Sequence, residues 1–261
     1  MLSEFPEGQP QTRSFSGLQR LYGVAGAQRI FQAHVAVVGI GGVGSWAAEA
    51  LARSGVGRLT LIDFDHVSES NINRQVHAVT HTVGLAKVLA MRDRIQAINP
   101  LCDVNCIEEF VTTSNWPAVL PTSVDAVIDA CDQMSAKTCM AAWSIRTGRT
   151  LVTVGAAGGK RLAHQVDMDD LSRATHDPLL AQLRYQLRKS HGAAREGKKM
   201  GLTCVFSREA VAGPDPSCDI DGDGSLNCHG YGSFVGVTAT FGLCAAGWVI
   251  ENIVNHEKER S

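Results

Sequence analysis

No two of the eight cysteines are spaced C-x-x-C, which argues against a zinc ribbon and a thioredoxin-like dithiol. The opening stretch MLSEFPEGQPQTRSFSG lacks an apolar core segment, so a secretory signal is not expected. Reduced thiols in a cytoplasmic protein are then the default for a chain of this size. Strong charge of either sign is also missing: 19% of residues are charged and the formal net charge is −2. That excludes general nucleic-acid affinity and leaves any polyanion contact to a local patch. No internal repeat is visible. What remains is an ordinary globular composition, 44% hydrophobic over 261 residues, enough for one sizeable core.

Residues 35 to 154 alternate between apolar runs and helical periodicity. VAVVG and RLTLIDFD read as strands, as do SVDAVIDACD and TLVTVGAAG; CDVNCIEEF is a weaker candidate. Between them GSWAAEALARSG, VGLAKVLAMRDRIQAINP and MSAKTCMAAWSIRTG carry helical spacing and end at Gly or Pro. Continuous apolar strands joined by helices predict an α/β fold, a Rossmann-like, mostly parallel sheet with helices on both faces. We expect residues 1–160 to form a nucleotide-binding core and 161–261 a C-terminal elaboration of the same domain. In that elaboration DDLSRATHDPLLAQLRYQLRKS reads as a helix interrupted near Pro178, LTCVFS as a short strand and AGPDPSCDIDGDGSLNCHG as a long loop or lid.

The first strand runs into VVGIGGVGS, whose Gly39, Gly41 and Gly44, with Gly42 between them, fit G-x-G-x-x-G. Such a loop opens a helix, so its amides and the helix N-terminus face an anion. Asp63, roughly 20 residues on, ends the next strand where it can accept from ribose hydroxyls. A dinucleotide and ATP are so far equally served. The following DFDHVSESNINRQVH breaks the tie. Beyond Asp63 and Asp65 it places Asn71, Asn73, Arg74 and Gln75 where a dehydrogenase would usually turn straight into a helix. Arg74 offers a planar fork to phosphate oxygens and Lys87 a second cation. Two added cations suit a triphosphate. VIDACD puts Asp129 and Asp132 at the sheet's carboxyl edge, where a carboxylate can hold Mg²⁺. The expected ligand is ATP with magnesium.

At this point the chain resembles the ubiquitin-activating-type (ThiF/MoeB-like) adenylating family, on VVGIGGVGSWAAEALARSGVGRLTLIDFDHVSESNINRQ, Lys87 and DACD. The resemblance implies that Asp63 contacts ribose, that Asn71, Arg74 and Lys87 contact phosphates, and that Asp132 holds the magnesium. It also implies a homodimer in which Arg20, in GLQRLYG, reaches the partner's site. Family members acting on sulfur-carrier proteins usually bear two C-x-x-C pairs, absent here. RLYG, NRQVHA, VGLAK, GAAGG, DPLLAQLR and CVFSREA instead resemble the tRNA threonylcarbamoyladenosine dehydratase branch, from Ser14 to about Val249. That branch implies ATP-dependent cyclisation of a modified adenosine beside the tRNA anticodon, with a cysteine desulfurase system as a candidate partner. The rivals are an adenylyltransferase for a sulfur-carrier or ubiquitin-like protein, an NAD-dependent reductase, and an ATP-binding scaffold without turnover.

Several features have a second reading. Arg184, Arg188, Lys189, Arg195, Lys198 and Lys199 form a basic run opposed by Glu196, a tRNA footprint or a solvated face. Gly230 to Ile250 carries no charge and is long enough to cross a bilayer, which takes about 20 residues. A buried helix of a soluble domain is the favoured reading, with membrane association through this segment the alternative. Cys204 and Cys228 are candidate thioester nucleophiles, or else a small buried side chain and a loop residue. DIDGDG imitates an EF-hand start, but the twelfth loop position is Gly230, and the calcium reading fails.

Overall fold

A computed structural model describes residues 13–195, 197–215, 217 and 231–255. A helix, α1 (Ser16–Gln32), precedes β1 (His34–Val38), whose five residues are all buried. It bends at Gly23, where φ is 73° and the helical pattern breaks. Then follow α2 (Gly44–Arg53), β2 (Arg58–Ile62), α3 (Lys87–Ile98), β3 (Asp103–Ile107) and β4 (Ala126–Asp129). The chain continues with α4 (Met134–Thr147), β5 (Thr150–Val154), β6 (Val166–Asp170), α5 (Pro178–Ser190), β7 (Thr203–Ser207) and α6 (Val235–Asn255).

The strands make one seven-stranded sheet in the order β3-β2-β1-β4-β5-β7-β6. All pairings are parallel except β6 with β7. The expected strands are present, and two elements differ from expectation. Asp169 and Asp170 end an antiparallel edge strand instead of starting a helix. The helix begins at Pro178 instead of being interrupted there, since proline fits the first turn and Asp177 caps it by accepting from Leu180 N. The sheet crosses residue 160: β7 inserts beside β5.

Apolar side chains cover both faces. On one face α2, α3 and α6 bury Leu51, Met91, Ile95, Phe241 and Val249 against Val35, Val37 and Leu61. On the other α4 and α5 bury Met140, Trp143, Leu180, Leu183 and Leu187 against Ala36, Val38 and Phe206. The C-terminal helix, uncharged as far as Ile250, is thus half-buried against α2 and the sheet; by length and composition alone it would also pass for a membrane span. Its approach to α2 depends on Gly242, where an added Cβ would lie 2.5 Å from Val43 O and 2.8 Å from Ala47 N. Both are backbone atoms and cannot rotate aside. Gly242→Ala is therefore expected to destabilise the fold by about 1–3 kcal/mol, read as a lower urea midpoint. An unchanged midpoint would show that α6 is free to move outward.

Candidate nucleotide site

Successive crossovers run one way from β1 to β2 and β3, and the other way to β4 and β5, so the order reverses between β1 and β4. Ligands of open parallel sheets bind outside the strand carboxyl ends at such a point. The glycine loop leaves β1 here and the Ala130–Gln133 link leaves β4. The two loops touch. Gly39 has φ 85°, and a Cβ on it would fall 2.8 Å from Ala130 O; one on Gly44 would fall 1.8 Å from Gly39 O. Only glycine fits, because side chains there would run into backbone. Gly39 N donates to Ile62 O at 2.9 Å and Ala130 N to Val38 O at 2.8 Å, tying both loops to the strand ends.

Asp63 stands at the mouth of β2. It accepts from Ile40 N at 2.5 Å and from Asp65 N at 2.9 Å. Burial raises its pKa, against the lowering pull of Lys87 and these two amides. Lys87, 7% exposed at the start of α3, pairs with exposed Asp65 at 2.7 Å. Arg74 is half-buried: its Nη1 donates to Ser70 O at 2.8 Å and Asn73 Oδ1 at 2.9 Å, while its carbonyl accepts from Trp46 Nε1 at 3.0 Å. Its Cγ and Cδ lie beside Gly42, where a Cβ would sit 3.4 Å from each. Asn73 Nδ2 donates to Ser233 O at 2.8 Å, and buried Asn71 caps a short 3-10 turn by accepting from Ser68 N. The glycines, Asp63, Asp65, Asn71, Asn73, Arg74, Gln75 and Lys87 thus sit on the loops after β1 and β2 and at the start of α3.

The two acids of VIDACD separate. Asp129 is fully buried and pairs with Lys137 Nζ at 3.0 Å; it also accepts from Thr153 Oγ1 at 2.6 Å and from Cys131 N at 3.3 Å. Its oxygens are committed to the protein. Asp132 is exposed ahead of α4 and makes no hydrogen bond or ion pair among the described residues. A single free carboxylate at the crevice fits magnesium, which takes one or two carboxylates and completes its shell with phosphates and water. Among the described residues no three His, Cys, Asp or Glu side chains cluster as a self-contained metal cage. Arg20 is exposed on α1, and its side chain makes no hydrogen bond or ion pair among the described residues.

Lys137, missed in the sequence, also donates to Cys131 O at 2.9 Å. Burial alone would lower its pKa, but the Asp129 carboxylate outweighs that and the net shift is upward. A second unread feature is an exposed aromatic pair beside Asp63, Phe64 and Phe110, with centroids 5.0 Å apart. A third is His77, 2% exposed, with neither ring nitrogen bonded among the described residues. Gln75 Oε1 in the same loop is likewise unpartnered. Burial, reinforced by the Lys87 and Arg94 cations, lowers the His77 pKa to about 4. An unfolded histidine takes up its proton near pH 6.5, so between there and about 4 acid favours the unfolded chain. The loss reaches on the order of 3 kcal/mol at the acid end. His77→Phe should lose less stability than the parent between pH 7 and 4.5 in urea titrations. Equal losses would remove His77 as the cause.

Cys204 does not suit covalent chemistry. It is fully buried, its Sγ donates to Asp169 O at 3.3 Å, and burial holds its pKa far above the ordinary thiol range. Cys228 and the DIDGDG segment lie outside the described residues. In the basic run, Arg184 donates to Leu171 O and Ala174 O, both at 2.9 Å, and Arg188 to Ala194 O at 3.2 Å. Lys189, Arg195, Lys198 and Lys199 are exposed.

A glycine-looped switch-point crevice flanked by a half-buried acid at the end of β2 and by two cations defines a nucleotide-binding α/β protein. The ThiF family model matches residues 15–261, and the chain belongs to that family. It is 42% identical to the tRNA threonylcarbamoyladenosine dehydratase of Escherichia coli, over 92% of this chain and 93% of that one. The solved structure of the E. coli dehydratase in complex with ATP superposes with a TM-score of 0.88 at 39% identity, covering 97% and 99% of the two chains. A sulfur carrier protein adenylyltransferase of Thermus thermophilus is 35% identical, over 50% of this chain and 48% of its own.

Proposed function

We propose that this protein is an ATP-dependent enzyme that dehydrates threonylcarbamoyladenosine at position 37 of tRNA, closing its side chain into a ring. One observation carries the reading. Arg74, Lys87 and the free Asp132 belong to the glycine-looped crevice of a chain that dehydratases match almost end to end. The sulfur-carrier adenylyltransferase matches only half of it. Residues 1–160 supply the adenylating core, and residues 161–261 complete the same domain and face the RNA.

The substrate carboxylate is a poor electrophile because its oxygen leaves badly. Its attack on the α-phosphorus of ATP forms an acyl adenylate and expels pyrophosphate. The carbamoyl group of the same side chain then attacks the acyl carbon and releases AMP, so the lost oxygen departs on AMP. The second step is intramolecular and needs no enzyme nucleophile. The chain's own residues position and neutralise. The glycine loop and the start of α2 seat phosphate, and Asp63 holds ribose. Arg74 and Lys87 spread charge off the phosphates, with Arg20 of a second copy joining them in a homodimer. Asp132 would hold Mg²⁺, which offsets triphosphate charge when bound. We place the reaction in the cytoplasm, with a cysteine desulfurase system as candidate partner.

The test is incubation of the purified protein with ATP, magnesium and unfractionated tRNA, followed by nucleoside mass analysis. The expected result is conversion of threonylcarbamoyladenosine to a species lighter by one water, dependent on ATP. Stoichiometric ATP binding with no such conversion would overturn the assignment.

A further inference from the structure

Away from the nucleotide crevice, α5 presents an aromatic ring to solvent among cations. Leu180, Leu183 and Leu187 bury one side of the helix, and Tyr185 on another is 58% exposed. An open pocket of about 500 Å³ is lined by Tyr185, Arg188, Lys189 and Arg195. The Lys189 ammonium lies 5.6 Å from the Tyr185 ring centroid. Arg188 is braced by its bond to Ala194 O. Lys198 and Lys199 continue the positive surface, and Glu196 is the sole acid in the sequence from Ser190 to Gly201.

We propose that this pocket receives an unpaired nucleobase of the RNA substrate, stacked on Tyr185, while Arg188, Lys189 and Arg195 hold the flanking phosphates. The inference rests on the tRNA reading above and gives the basic run a specific task. The Tyr185 ring, large and mostly apolar, is left 58% exposed to water. Purely electrostatic docking of phosphates has no use for the ring. Combining a π face with backbone-neutralising cations is how proteins grip single-stranded RNA, since every base offers a π face once it is out of a helix. Paired bases keep those faces covered, so the pocket selects a loop over a stem. The pocket volume falls within the range that encloses a ligand of drug size, so a base with its sugar and phosphate fits. An acidic protein segment would satisfy the cations alone and would not depend on aromaticity at position 185.

The experiment measures binding of the full-length protein to unfractionated tRNA, to a single-stranded heptanucleotide RNA and to an RNA duplex, across a salt series. Tyr185→Leu should weaken heptanucleotide and tRNA binding about 5- to 100-fold, in keeping with loss of one stacked base. Tyr185→Trp should restore it, and duplex and ATP affinity should not move. The salt slope should stay constant in Tyr185→Leu, which removes no charge, and fall by about 0.7 for the single strand in Arg195→Gln. Equal heptanucleotide affinity in Tyr185→Leu and parent would overturn the stacking, as would failure of tryptophan to rescue. The two readings fail separately. Aromatic-dependent binding without any dehydrated nucleoside sinks the dehydratase reading and leaves the pocket standing. Dehydration with an unchanged KM for tRNA in Tyr185→Leu sinks the pocket alone.

Discussion

Arg74→Ala is expected to remove substrate-driven ATP–pyrophosphate exchange, by two to three orders of magnitude or more. The reasoning is electrostatic. The guanidinium is held beside the glycine loop by Ser70 O and Asn73 Oδ1, and its backbone is pinned by Trp46. It is therefore in place before phosphate charge shifts onto the leaving pyrophosphate. Preorganised donors of this kind are each worth about 10²–10³ in rate. The substitution leaves the Trp46 bond to the main chain intact, so folding should be nearly unaffected and the defect should be catalytic. Arg74→Lys keeps the charge but loses the fork and should recover only part of the rate. Isotope exchange from labelled pyrophosphate into ATP, with tRNA present, reads this directly. Full exchange in the alanine variant would remove Arg74 from the site.

Lys137→Met is expected to be the most destabilising single change in the crevice, by about 3–5 kcal/mol. It strands the Asp129 carboxylate, which has no access to water and was balanced by a lysine equally enclosed. Replacing both members, as Lys137→Met with Asp129→Leu, should recover much of that stability, because a buried pair is costly to break but not to exchange for apolar packing. Activity should return only at raised magnesium. Lys137 and Asp129 also bind the carbonyl and amide of Cys131, one residue before Asp132. The double variant should fold and still need more magnesium for half-maximal exchange. Urea denaturation and a magnesium titration separate the two effects. A single variant as stable as the parent would refute the energetic argument.

The parts of this site visible in the sequence were those whose chemistry is local. The glycine loop announces itself because backbone sterics at Gly39 and Gly44 are settled within a few residues and by one neighbouring loop. β1 and β2 are continuous apolar runs because both faces of a parallel sheet are covered. Asp63, Arg74 and Lys87 follow the strand in an ordered motif. What stayed hidden depends on distant contacts. β6, VDMDD, is too acidic to look like a strand, and it becomes one at the sheet's edge by pairing with β7. Lys137 reads as an ordinary helix lysine until Asp129 is seen in the same enclosed space. Asp129 and Asp132 look alike in VIDACD, and only the fold shows which oxygens are already taken. His77 gives no sign of its burial.

The last helix does more than cover apolar surface. Thr238 Cγ2 lies 3.3 Å from where a side chain on Gly42 would begin, and Ser233 O, just ahead of that helix, receives Asn73. Every residue named for the nucleotide's phosphates lies before position 140, yet contacts to Gly42 and Asn73 come from beyond position 230. A shortened chain ending near residue 160 would keep the whole recognition motif and lose nucleotide affinity. Because β7 pairs with β5 and α6 packs on α2, cutting the chain at residue 160 is expected to disable the nucleotide crevice.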